Sequence, residues 1–130
     1  MMMGLRVLLA LVGLFFIGLG GTFLFDPVTQ GGDFGVDPRG AQGLSTIRAD
    51  FSSYFWVSGG ALVLGAWKQN GTVLLVAAAL LGITFCARAL SLVLDGTYEG
   101  WMAPMMVEAF VVVIALFGYR AMAGSAAPDA

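Results

Sequence analysis

The chain has 130 residues, of which 59% are hydrophobic and 11% charged, and its formal net charge is -2. Soluble domains carry roughly a quarter charged residues, so this composition indicates a membrane protein. Nucleic-acid binding needs clustered Lys and Arg, which six such residues do not supply here. The lack of histidine and the single cysteine, Cys86, remove most metal, haem and Cys-His or Ser-His possibilities, so we expect no metal and no cofactor. We expect Cys86, within an apolar run, to be a buried and inert thiol.

Four apolar segments are long enough to cross a bilayer. They cover residues 7–25, 51–67, 73–94 and 103–119, and only Arg88 and Glu108 interrupt them with charge. At 1.5 Å per residue these segments are roughly 26 to 33 Å long, close to the hydrocarbon thickness of a membrane. Because backbone groups in lipid must satisfy one another, the segments should be helices. A soluble bundle would need a polar stripe on every segment, and the first segment has none.

The first segment resembles a secretory signal peptide in two features. Arg6 precedes it, and Gly18 and Gly20 form a small-x-small site. Its apolar run exceeds the usual length of roughly 7 to 15 residues, and no A-x-A site follows. We therefore expect a retained helix over 5–25 that ends before Asp26 and Pro27, with cleavage within residues 1–20 as the alternative.

The residues between the apolar segments predict the remaining elements. Residues 26–48 are polar and glycine-rich, which predicts an outer loop, and a second helix is expected over 49–68. Asn70 and Gly71 predict a tight turn into a third helix over 72–95, which Gly96 should end. Pro104 fits the first turn of a fourth helix over 101–121. The sequence thus predicts one membrane domain over 1–130, an all-α integral membrane four-helix bundle.

The flanking charges predict how this bundle is oriented. If four helices alternate, Arg6, Lys68 and Arg120 lie on one side, and most of the acidic residues lie on the other. The positive-inside rule then places both termini in the cytoplasm. The expected location is the bacterial inner membrane, with several spans in contact with lipid.

A polar face on the third helix suggests a buried ion pair. Thr84, Arg88, Ser91 and Asp95 are spaced so that all four share one face of that helix. Arg88 lies seven residues before the end of its helix, and Glu108 lies seven residues after Trp101 at the start of the next. Both charges should therefore lie at the same depth. Charges inside a membrane are costly and usually pair, so we predict an ion pair between Arg88 and Glu108.

We expect the outer ends of the helices to extend this pair into a polar funnel through Asp95, Arg48 and Asp50. The candidate ligand-binding or buried polar cluster therefore contains Arg88, Glu108, Asp95, Ser91, Arg48, Tyr54 and Thr84. Three interpretations stay open: a pair that only fixes helix packing, a ligand site built on the pair, and a snorkelling Arg88. The small residues Gly13, Gly20, Ser58, Ala61 and Gly65 are typical of close helix packing.

Parts of the sequence resemble a known family. The stretches 48-RADFSSYFWVSGGALVLGAW-67 and 82-GITFCARALSLVLDG-96, with a glutamate early in the last helix, are similar to the uncharacterised bacterial family called domain of unknown function 4345. The pattern of Arg88, Ser91, Asp95 and Gly96 is the most specific part, whereas Ala87 replaces a residue that is commonly glycine. The resemblance implies a small membrane protein with four helices, and it implies no chemistry.

The sequence favours a non-enzymatic role, as an accessory, scaffold or binding subunit of a homo-oligomer or a larger membrane complex. This hypothesis follows from the absence of nucleophile-base constellations and cofactor motifs. The alternative is a binder or transporter of a small amphipathic or anionic molecule held by Arg88 and Glu108. A lesser alternative is a membrane enzyme that uses Asp95 or Glu108 as an acid or base.

Overall fold

A computed structural model describes residues 1–125 of the chain, and every regular element in that part is helical. The helices are α1 (Met2–Phe25), α2 (Pro27–Asp33), α3 (Gly40–Thr46), α4 (Ser52–Lys68), α5 (Gly71–Asp95) and α6 (Met102–Ser125), with a π-helical turn (Ile47–Phe51) directly before α4. The protein is therefore all-α, as its sequence predicts.

Capping residues set the boundaries of these helices. Asp26 follows the last residue of α1 and acts as the N-cap of α2, where its side chain accepts a hydrogen bond from the backbone N–H of Thr29 at 3.3 Å. Asn70 does the same for α5, accepting from the N–H of Thr72 at 3.0 Å. Such caps satisfy donors that a helix leaves without partners. At the other end of α5, Gly96 has a φ of 91°, a conformation that favours glycine.

The connection between α1 and α4 differs from the loop expected over 26–48. The structure has two short helices and the π-helical turn there. Three apolar side chains in or near these elements pack at the end of α1: Ile47 is only 2% exposed, and the rings of Phe34 and Phe51 lie 5.3 and 4.9 Å from that of Phe23. Their burial offsets the entropy of ordering a glycine-rich segment, which the glycine content alone did not predict.

Small residues let the long helices approach closely. α1 packs along α4, α4 along α5, and α5 along α6. At the α1–α4 contact, a Cβ atom on Gly13 or Gly59 would lie 2.6 Å from the carbonyl oxygen of the other glycine. Likewise, a Cβ atom on Gly20 would lie 2.5 Å from the ring of Trp56. The packing role predicted for Gly13 and Gly20 is thus confirmed.

Three helices are long and apolar enough to cross a membrane within the described residues. They are α1, α5 and α6, and at most a third of the most apolar stretch of each is buried inside the protein. So much exposed apolar surface is unusual for a soluble protein and indicates a membrane protein. α4 has 17 residues and is not one of the three.

Candidate functional site

The structure contains the predicted ion pair between α5 and α6. Nε of Arg88 donates to Oε1 of Glu108 at 2.6 Å. Arg88 lies seven residues before the last residue of α5 and Glu108 six residues after the first residue of α6, so antiparallel packing brings them to the same level. The reasoning from equal depth is therefore confirmed for this pair.

The two partners are buried to different extents. The side chain of Glu108 is 6% exposed, whereas that of Arg88 is 30% exposed. Oε2 of Glu108 is buried and has no hydrogen-bond partner among residues 1–125. A buried carboxylate oxygen without a donor is costly, because it loses its hydration and gains nothing in exchange. The carboxylate is therefore only half satisfied by Arg88.

The pair lies in the wall of a pocket of about 690 Å³. α1, α4, α5 and α6 all line it, together with the end of α2 and the connection between α5 and α6. Six of its lining residues are aromatic: Phe15, Phe16, Phe34, Tyr54, Phe55 and Tyr98. An apolar cavity with a few convergent polar groups is the usual form of a small-molecule site.

Tyr54 and Thr84, two further members of the predicted cluster, line this pocket together with Arg88 and Glu108. Oη of Tyr54 is buried and makes no hydrogen bond with any described residue, although it lies close to Thr84 and the ion pair. The Thr84 hydroxyl donates to the carbonyl of Leu80 at 2.8 Å. The pocket therefore contains a second polar atom with unused hydrogen-bonding capacity.

The predicted funnel through Arg48 and Asp95 is wrong. Nε of Arg48 donates to the carbonyl oxygen of Leu24 at 2.9 Å, one of the C-terminal carbonyls that α1 cannot satisfy itself. Asp95 lies about 10 Å along α5 from Arg88 and accepts a hydrogen bond from the Ser91 hydroxyl at 3.2 Å.

The other outer-end residues also lie away from the pocket. Arg48, Ser91, Asp95 and Asp50 are all exposed, and none of them lines it. Of the seven predicted residues, the structure therefore brings together four: Arg88, Glu108, Tyr54 and Thr84.

Connecting segments supply several of the pocket residues that were not predicted from the sequence. Tyr98 and Glu99 lie between α5 and α6, and Asp33 and Phe34 lie at the end of α2. Tyr98 also lies close to the Arg88 guanidinium. The sequence did contain a signal for Tyr98: it is an aromatic residue in a short connection between two long helices, three positions after Asp95.

Cys86 also differs from its prediction. The thiol is exposed on the surface of α5 rather than buried in the core. It lies two residues before Arg88, and residues two apart point to different sides of a helix. The apolar run around Cys86 therefore reflects an outward-facing surface of the helix, not a protein interior.

Comparison with known proteins places the chain in a family. No curated protein and no solved structure matches it. A family model described as Domain of unknown function (DUF4345) matches residues 4–119. These residues include α4 and α5 and most of α1 and α6. The match also includes the ion pair and every residue that lines the pocket around it. The chain therefore belongs to the DUF4345 family, whose model covers its residues 4–119.

Proposed function

We propose that the protein is an integral membrane protein that binds the headgroup of a small amphipathic molecule beside the Arg88–Glu108 pair. One observation carries this proposal: Oε2 of Glu108 is buried, without a donor, beside a pocket of about 690 Å³. A bound polar group that donates to this oxygen would remove the cost of leaving it unsatisfied.

The lining of the pocket supports an amphipathic ligand. Polar side chains, among them the ion pair, Tyr54 and Thr84, share the wall with aromatic and aliphatic side chains, which form most of it. Phe15 of α1 and Val107 of α6 line the pocket and are also exposed on the outer surface of their helices. Because α1 and α6 contact each other only sparsely, the chain of a ligand has a lateral exit between them.

The half-satisfied carboxylate favours binding over a purely structural pair. A pair that only fixes helix register is best served when all its polar atoms have partners and no cavity adjoins it. Here both Glu108 and Tyr54 have an atom without a partner in the described part of the chain. The accessory or scaffold role, in an oligomer or a larger complex, stays a prediction from composition.

We also propose that α4 is a fourth span, which completes a four-helix bundle in the bacterial inner membrane. Its 17 residues cover roughly 26 Å, and the π-helical turn extends it without a break. It packs between α1 and α5, both long enough to span. Arg6 at the start of α1 donates to Ala66 at the end of α4, which supports antiparallel spans.

Cysteine labelling in intact bacterial cells tests this topology. In a Cys86→Ala background, Thr97→Cys lies in the α5–α6 connection and Gln69→Cys in the α4–α5 connection. With both termini inside, a membrane-impermeant maleimide should label position 97 in intact cells and position 69 only after lysis. Labelling of position 69 but not of position 97 in intact cells would contradict a fourth span, because α1, α5 and α6 alone would place position 69 outside and position 97 inside.

Native mass spectrometry of protein released from lipid nanodiscs tests the binding role. The wild type should retain a small amphipathic molecule, and Ala103→Trp, which adds volume at the pocket wall and keeps both charges of the ion pair, should not. Asp95→Asn is the matched control, because this exposed carboxylate on α5 lies outside the pocket. Wild-type protein that is always empty, or equal loss in the control, would contradict binding at this site.

A further inference from the structure

We infer that the pocket selects an uncharged headgroup that carries both a hydrogen-bond donor and an acceptor, such as a hydroxyl group. This inference rests on the proposed binding function and adds the chemical class of the ligand. It follows from three properties of the pocket: the balance of its charges, the hydrogen-bonding atoms left unused, and the composition of its wall.

The charges at the pocket disfavour an anionic headgroup. Arg88 is already matched by Glu108 at 2.6 Å, so its positive charge is not available to balance a second anion. The other two charged residues that line the pocket, Asp33 and Glu99, are acidic but exposed, so they add only a screened repulsion. An anion beside the pair would therefore be repelled chiefly by Glu108, with no unmatched cation to compensate.

A cationic headgroup is disfavoured for a different reason. At the depth of Glu108, a cation would place a second positive charge beside Arg88 and compete with it for one carboxylate. Asp33 and Glu99 are exposed, so solvent and salt screen their attraction for a cation. A neutral headgroup avoids both the repulsion by Arg88 and the repulsion by the acidic residues.

The unused polar atoms define what the headgroup must offer. Oε2 of Glu108 can only accept, so the ligand must donate a hydrogen bond to it. Arg88 has five N–H donors, and the Nε one is directed to Glu108, so its terminal nitrogens can donate to an oxygen of the ligand. A hydroxyl group both donates and accepts, and it can satisfy Glu108 together with Arg88 or Tyr54.

The wall of the pocket determines the rest of the molecule. Its volume of about 690 Å³ exceeds that of a small hydroxylated headgroup, so the beginning of an apolar chain also fits inside. The rings of Phe16 and Phe55, which contact each other edge to face at 5.5 Å, offer apolar surface to that chain. The ligand class is therefore a neutral, hydroxylated amphiphile with one apolar chain.

Three amphiphiles with chains of twelve carbons, counting the ester carbonyl of the first, test this selectivity: monolauroylglycerol, dodecylphosphonate and dodecylammonium. Native mass spectrometry of the delipidated protein should give the tightest binding for monolauroylglycerol, and at least about tenfold weaker binding for the two charged compounds. Ala103→Trp should remove the specific binding and so identify adducts held elsewhere on the protein.

The other possible results have different consequences for the headgroup and for the binding role. Tightest binding of dodecylphosphonate or dodecylammonium overturns the inference about the headgroup but leaves the binding role intact. If no compound binds in a manner sensitive to Ala103→Trp, both the inference and the proposed function are overturned.

Two variants sharpen the same experiment. Glu108→Gln leaves the charge of Arg88 unmatched, so the preference should shift from monolauroylglycerol toward dodecylphosphonate. Tyr54→Phe removes a hydroxyl that has no partner in the described chain, so it should fold at least as well as the wild type. It should weaken the binding of monolauroylglycerol several-fold and leave the binding of dodecylphosphonate unchanged. If neither variant changes the affinity for either compound, the inference is overturned.

Discussion

The two ends of the helix assembly use arginine in opposite ways. Where α1 begins and α4 ends, Nε of Arg6 donates to the carbonyl oxygen of Ala66 at 2.8 Å, and Nη2 donates to that of Trp67 at 3.3 Å. Where α5 ends and α6 begins, Arg88 donates to one oxygen of Glu108 and leaves the other without a donor. The first arginine completes a helix end, whereas the second adjoins a pocket.

Packing at the two ends differs in the same sense. Near Arg6, a Cβ atom on Gly71 would lie 2.7 Å from the carbonyl oxygen of Tyr119, and one on Gly118 would lie 2.6 Å from Leu74. The helices are in backbone contact there, and the cavity of about 530 Å³ at this end is lined by Met122, Ala123 and the polar turn from Lys68 to Thr72. At the Arg88 end the same helices enclose about 690 Å³. The proposed binding site thus lies at the end of the assembly opposite these close backbone contacts.

The largest effect is expected from breaking the ion pair. Arg88→Leu should lower the free energy of unfolding by about 3–5 kcal/mol, because it leaves Glu108 buried without its partner. Adding Glu108→Leu should restore most of the stability and leave ligand binding lost, since an apolar pair can replace a buried ionic one. Thermal unfolding in detergent measures the first effect, and native mass spectrometry the second. A double variant as unstable as the single one would contradict this assignment.

A smaller effect is expected from adding volume at the end near Arg6, where α5 and α6 are in backbone contact. Gly71→Leu should destabilise the protein by about 1–3 kcal/mol, because its side chain would meet the backbone of Tyr119. Gly82→Ala on the same helix is the control, since its nearest neighbour would lie at an ordinary 3.9 Å. Denaturant titration monitored by circular dichroism compares the two. Equal unfolding midpoints would show that the end near Arg6 tolerates a larger separation of α5 and α6.

The smallest effect is expected from Arg6→Ala. Loss of the hydrogen bonds to Ala66 and Trp67 should lower the free energy of unfolding by about 1 kcal/mol. The effect is small because water satisfies the same groups in the unfolded chain. Affinity for the ligand should stay unchanged, because Arg6 lies at the end opposite the pocket. The same thermal and mass-spectrometric measurements apply. A loss of binding as large as that in Ala103→Trp would refute the separation of the two ends.

Local patterns in the sequence predicted much of the fold and part of the site. Long apolar runs identified the long helices, and the capping residues Asp26 and Asn70 identified their junctions. The pairing of Arg88 with Glu108 followed from counting residues to the helix ends, since rise along a helix is constant. The helical connection between α1 and α4 was missed, because its order comes from rings packed against Phe23.

The sequence by itself determined the helices, the apolar surface and the level at which two opposite charges meet, because these depend on residues close together in the chain. Tertiary structure alone decided that Arg48 binds the end of α1, that Cys86 faces outward, and that Tyr98 lies at the pocket. It also decided that Glu108 retains an oxygen without a donor. Helix rotation and the gaps between helices set these features, since both arise from the fit of side chains distant in sequence.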